Sequence, residues 1–175
     1  MKKILLLMSG LILLCPAVRA EAPAVRVAFS PDGGAETLVL SVIDSARAEI
    51  RLAGYSFTSP EVARSLIRAK ARGVDVLVVL DERANQNRKS QAAIGLLAGG
   101  DIPVRLNGRF AALHDKFIVV DRQTVETGSF NYTRAAAHMN SENAMVISSA
   151  PEVASQYLQH WNARWSEGTD YTLPY

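Results

Sequence analysis

At 175 residues, 49% of them hydrophobic, the chain is long enough to bury a real core and reads as one domain. Its 19 Lys and Arg nearly balance 17 Asp and Glu, so bulk charge advertises no nucleic-acid partner; attraction for phosphate must come from local clusters. The single cysteine, Cys15, excludes an internal disulfide and any Cys-x-x-Cys zinc pair.

Residues 1–20 read as an export leader. Lys2 and Lys3 form a basic start, Ile4 to Leu14 is mostly apolar, and Val18-Arg19-Ala20 offers small residues at a cleavage point. The apolar run is short for a membrane span, and Cys15 follows Leu14 rather than a small residue, which argues against a lipid anchor. Cleavage after Ala20 leaves residues 21–175 as the domain. It also removes Cys15, Lys2, Lys3 and Arg19, taking the formal charge from +2 to −1. No stable membrane association is expected of what remains.

Val25 to Phe29 predicts a first strand, ended by the turn residues Ser30 to Gly34. Leu38, Val42, Ile43 and Ala46 fall at helical spacing within Ala35 to Ala48, and Ile50 to Phe57 alternates as a second strand. Ser59-Pro60-Glu61 is a helix start: a capping hydroxyl, proline at the first helical position, an acid in the first turn. That helix runs to Arg72 and stops at Gly73. Val74 to Leu80 is a near-continuous apolar run, hence a strand covered on both faces. A polar stretch from Asp81 to Gln91 carries Arg83, Arg88 and Lys89 and reads as a loop. A short helix over Ala92 to Ala98, a strand over Ile102 to Leu106 and an Asn107-Gly108 turn follow.

His114 and Lys116 precede the strand Phe117 to Val120, two apart, so an extended backbone turns both to one face. Asp121 closes that strand. After a turn come Gly128, Ser129 and Asn131, the last two again sharing an alternating face. A short helical piece near Thr133 to His138, a strand over Asn143 to Ser148 and a helix over Pro151 to Ser166 complete the chain. The last helix carries one apolar stripe of Val153, Tyr157, Leu158, Trp161 and Trp165. Strands alternating with helices give an α/β class: a mixed sheet flanked by helices on both faces. The commonest nucleotide, zinc and nucleophile-elbow motifs are absent.

The residue types around His114 suit phosphoryl transfer. A neutral imidazole attacks phosphorus near working pH, and Lys116, Ser129 and Asn131 are donors for the charge that grows on the phosphoryl oxygens. Asp121 either orients this unit or bonds internally. One imidazole cannot be both nucleophile and proton donor in one displacement. His138 and His160 lie outside any H-x-K setting, so the simplest second imidazole is that of a twin chain, which predicts an isologous homodimer with a composite site. Arg83, Arg88, Lys89, Arg105 and Arg109 are the basic residues placed to follow a nucleic-acid backbone.

The pattern H-x-K, four residues, D, six residues, G-S-x-N resembles the HKD signature of the phospholipase D superfamily, carried here by His114, Lys116, Asp121, Gly128, Ser129 and Asn131. With one motif in a small chain, the protein is similar to the Nuc-type periplasmic endonucleases of bacteria. That resemblance implies a metal-independent phosphodiesterase with no cofactor, acting through a phosphohistidine, dimeric and periplasmic. It also implies that Glu142 holds the second nitrogen of His114. The expected substrate is DNA, with RNA second, cut without base specificity because no groove-reading element is evident. The rivals are a phospholipid phosphodiesterase and a non-enzymatic phosphate-binding module.

Overall fold

The computed structural model describes residues 22–173, so the expected leader lies outside the described residues. Among the described residues eight strands form a single mixed sheet, in the spatial order β1 (Ala24–Phe29), β7 (Asn143–Ser148), β6 (Thr124–Gly128), β5 (Lys116–Val120), β2 (Glu49–Gly54), β3 (Asp75–Asp81), β4 (Val104–Asn107) and β8 (Thr169–Asp170). Its parallel part is β2, β3 and β4, linked by the crossover helices α2 (Pro60–Ala71) and α3 (Arg88–Gly99). Beside β2 the direction reverses: β5, β6, β7 and β1 run antiparallel in succession.

Alternation along the strands feeds two cores. Ile50, Leu52, Val78, Ile118 and Val120 point to one face, against α1 (Gly34–Ser45), α2, α3 and α4 (Arg134–His138). Ala53, Val79, Phe117 and Val119 point to the other, which α5 (Pro151–Ser166) covers. The apolar stripe expected on this helix is its buried face. Trp161 stacks on Trp165 at 5.0 Å and donates its indole N–H to the Leu52 carbonyl at 2.9 Å. Among the described residues only α5 spans this face, and the cover stops short of the edge: on β1, Val25, Val27 and Phe29 remain 59%, 53% and 64% exposed.

Local signals explain most boundaries. Ser59 accepts from the Val62 N–H at 3.2 Å, Pro60 opens α2, and Gly73 turns the chain at φ 90°. Three expectations are corrected. The helix expected at Ala92 begins at Arg88, because the Asn87 side chain caps it by accepting from Ser90 N–H at 3.1 Å. The strand expected to reach Phe57 ends at Gly54, and Phe57 keeps only an isolated bridge to Tyr132. Ser129 and Asn131 lie beyond the end of β6 rather than within a strand. A two-residue strand, β8 (Thr169–Asp170), adds to β4 where Arg105 binds Asp170 at 2.6 Å. Two polar residues leave no periodic signal for it.

Candidate active site

Lys116 opens β5 directly opposite Gly54 of β2. A Cβ on Gly54 would lie 3.0 Å from Leu80 and 3.1 Å from the Tyr132 ring, so glycine lets these elements close. The ring of the next residue, Tyr55, packs tilted against the exposed His114 ring, centroids 4.5 Å apart, and its face lies 5.4 Å from the Lys116 ammonium. Lys116 is buried to 9% exposure, with Nζ 3.0 Å from the His114 carbonyl and 3.2 Å from His114 Nδ1. Burial lowers the Lys116 pKa, while the charges of Asp115 and Glu142 act in the opposite sense. A buried ammonium beside an open imidazole is a setting that suits an anion.

The Gly-Ser-x-Asn segment takes its shape from β7. A Cβ on Gly128 would fall 2.2 Å from the Asn143 carbonyl, so only glycine allows the two backbones to meet there. Ser129 then donates to Glu142 Oε2 at 2.6 Å and accepts from the Asn143 N–H at 3.1 Å. Its hydroxyl is thus committed within the protein. Glu142 Oε1 accepts from Asn140 at 2.9 Å, so both carboxylate oxygens are taken. Its hydrogen bonds thus go to Ser129 and Asn140 rather than to His114, and its charge favours the ammonium form of Lys116. Asn131 Oδ1 is buried without a hydrogen-bond partner, a polar group that a bound anion would draw round to present Nδ2.

Two expected site residues lie elsewhere. Asp121 stands at the far end of β5 and accepts from the N–H groups of Arg47, Ala48 and Glu49 at 2.9, 2.8 and 2.9 Å. It fastens the entry to β2 and does not face His114. Arg109 pairs with Glu167 at 3.4 Å, away from the cleft. Of the other basic residues, Arg83 donates to the carbonyls of Phe110 and Ala111, and Arg105 is held by Asp170 over the Trp165 ring. Arg88 and Lys89 sit in the first turn of α3.

The cleft also contains residues that sequence reasoning passed over. His160 of α5 lines it together with His114, Lys116 and Tyr157. Its Nε2 is 2.9 Å from Oδ2 of Asp115, the residue between His114 and Lys116, so a carboxylate–imidazole pair stands at the entry to β5. The sequence held a signal for this: His160 falls three residues after Tyr157 and one before Trp161, on the flank of the buried stripe. His138, by contrast, lies 3.8 Å from Glu36 on the opposite core face. Among the described residues no group of three or more His, Cys, Asp or Glu is arranged to hold a metal.

The profile of the family described as "Cardiolipin synthase, PLD-like domain" matches residues 39–165. The chain is 37% identical over 140 residues to a phospholipase D of Rickettsia bellii, covering 80% of this chain and 68% of that one. It is 30% identical over 170 residues to the mitochondrial cardiolipin hydrolase of Homo sapiens, covering 91% and 66%. Its fold superposes with a TM-score of 0.85 on the crystal structure of Nuc, a phospholipase D family member from Salmonella typhimurium. There the sequences are 52% identical, over 86% of this chain and 99% of that one.

Proposed function

Since the chain belongs to the phospholipase D superfamily and is one of its phosphodiesterases, we propose that the ester it hydrolyses is that of a nucleic-acid backbone, DNA first and RNA second. One observation carries this reading: the cleft at His114 is walled by charged and polar groups, Asp115, Lys116, Thr127, Gln156 and His160, which suit a bare phosphodiester better than an acyl chain. The likeness to Nuc along nearly its full length supports it. The names of the relatives, phospholipase D and cardiolipin hydrolase, favour the lipid reading instead.

In the proposed reaction Nε2 of His114 attacks phosphorus, an N–P bond forms, and the P–O bond to the leaving oxygen breaks as that oxygen takes a proton. Water then attacks phosphorus, loses a proton, and the N–P bond breaks. With Lys116 donating to Nδ1, the ring proton sits on Nε2. Attack therefore requires Lys116 to swing onto a phosphoryl oxygen and the proton to shift to Nδ1. Lys116 and Asn131 then meet the growing negative charge.

The proton for the leaving oxygen is assigned to His114 of a second copy, in a composite site on a twofold axis. The apolar stripe of Val25, Val27 and Phe29 supports this. It runs on the α5 side of the sheet, and its Phe29 end pairs with Asn143, whose carbonyl accepts from Ser129 N–H. A second copy seated there would cover the stripe beside the cleft. A second reading of the proton source rests on the Asp115–His160 pair, which lies within one chain's own cleft. Mixed dimers with one His114→Ala chain separate the two: near-complete loss supports the composite site, and half activity supports His160. Export to the periplasm through residues 1–20 belongs to the same proposal and is checked by fractionating cells that express the full chain.

The deciding experiment for the function is a denaturing quench at alkaline pH during turnover of DNA, which preserves an N–P bond, followed by mass spectrometry. A DNA-derived phosphoryl group on His114, its second ester intact and absent from His114→Ala, is the expected result. Turnover of phosphatidyl lipid with DNA left intact would overturn the nuclease assignment.

A further inference from the structure

Past Tyr55 the chain enters a groove unrelated to the His160 side of the cleft. Its volume is about 720 Å³, and its wall is mostly apolar: Ala93, Leu96, Ala135 and Met139. Leu96 is 44% and Met139 78% exposed, a large apolar surface for a protein to leave in water. Lys89, from the first turn of α3, and Arg134, from the first turn of α4, flank it. Among the described residues neither cation has a carboxylate partner, whereas Arg83, Arg105 and Arg109 are all engaged internally.

The groove adjoins the site on two segments. Tyr55 packs on His114 and Ser56 lines the groove; Asn131 belongs to the motif and Thr133 lines the groove. Between them the Tyr132 carbonyl accepts from the N–H groups of Thr58 and Ser59, both at 2.9 Å, so the two segments of this rim are pinned to each other.

We propose that this groove is a subsite for the single strand flanking the scissile phosphate, with Lys89 and Arg134 on successive backbone phosphates and the bases lying against Leu96 and Met139. The inference rests on the nuclease reading and deepens it. Two cations on separate helices, in addition to the lysine at the nucleophile, require a ligand that carries more than one phosphate. A polynucleotide supplies one per nucleotide, and a polarisable thioether gives base faces a surface that no hydrogen-bond code restricts. That arrangement also predicts weak sequence preference.

The test uses the full-length exported protein with Lys89→Glu/Arg134→Glu, and Lys89→Gln/Arg134→Gln as the milder pair. Substrates are a short single-stranded oligonucleotide, bis(p-nitrophenyl) phosphate and phosphatidylglycerol in mixed micelles. The reversal pair should raise the oligonucleotide KM at least about tenfold more than that of the small diester. In the neutral pair the slope of log affinity against log salt should fall by about 1.4, or 0.7 per lost phosphate contact. Equal effects on oligonucleotide and small diester, with an unchanged salt slope, would overturn the subsite. A KM rise confined to phosphatidylglycerol would assign the groove to a lipid and overturn it too. Failure of the unsubstituted enzyme to cut any oligonucleotide while hydrolysing the small diester would instead overturn the nuclease reading beneath it. Urea midpoints of both variants show that the effects are read from folded protein.

Discussion

Glu126 of β6 makes a quantitative claim on stability. Its side chain points into the larger core at 1% exposure, and its Oε2 accepts from the Tyr132 hydroxyl at 3.2 Å. Burial pushes its pKa from 4.5 to about 8, with the Tyr132 hydrogen bond a smaller opposing influence. Burial, and then Glu126 itself, holds the Tyr132 hydroxyl well above its usual value, so both groups are neutral at pH 7. The folded state keeps a proton that the unfolded state releases at the ordinary carboxyl pKa. The stability tied to that proton is fully present below 4.5 and is lost as pH rises through about 8. At pH 7, about 2.5 units above 4.5, the loss is about 3 kcal/mol. Glu126→Gln keeps the shape and cannot titrate. Urea unfolding at a series of pH values between 5 and 8 should show the two proteins converging at the acid end, with the variant ahead by about 3 kcal/mol at pH 7. Parallel stability–pH curves would refute the buried neutral acid.

Four further outcomes are expected. Asp121→Ala leaves three backbone N–H groups without their acceptor and should lower unfolding free energy by about 2 kcal/mol in urea titrations, with kcat of the folded enzyme little changed. Lys116→Ala should cut kcat by about a hundredfold or more. In the unsubstituted enzyme the need for its ammonium places the alkaline loss of activity below the ordinary lysine range, because burial lowers that pKa; a kcat profile against pH checks it. Activity should persist in EDTA; loss that a divalent ion restores would overturn the direct histidine route.

Much of the fold was legible because its signals are local. Ser59-Pro60 and Gly73 bound α2, the apolar run beginning at Val74 gives β3, and the Trp161 stripe gives the buried face of α5. Side-chain caps inside polar text were harder: Asn87 starts α3 among residues that read as a loop. At the site, the close approach of His114 and Lys116 followed from their spacing. The fate of a carboxylate did not. Glu142 and Asp121 carry the same chemistry, and only tertiary contacts send one to Ser129 and the other to the backbone at Ala48. His160 reaches the cleft from 46 positions downstream of His114, a proximity created by packing α5 on the sheet. For the cations the obstacle was competition, since Arg83, Arg105 and Arg109 are consumed by loops and the C-terminal segment.

That α5 is the one helix over the second face among the described residues has a consequence for how the enzyme fails. Tyr157 and His160, which wall the cleft, ride on the same rod that Trp161 hangs from the Leu52 carbonyl. Four helices guard the opposite side, whereas here detachment of one element would strip the reactive face while leaving the main body assembled. Inactivation by mild heat or denaturant should therefore precede global melting, and amide exchange should report its earliest opening along Pro151–Ser166.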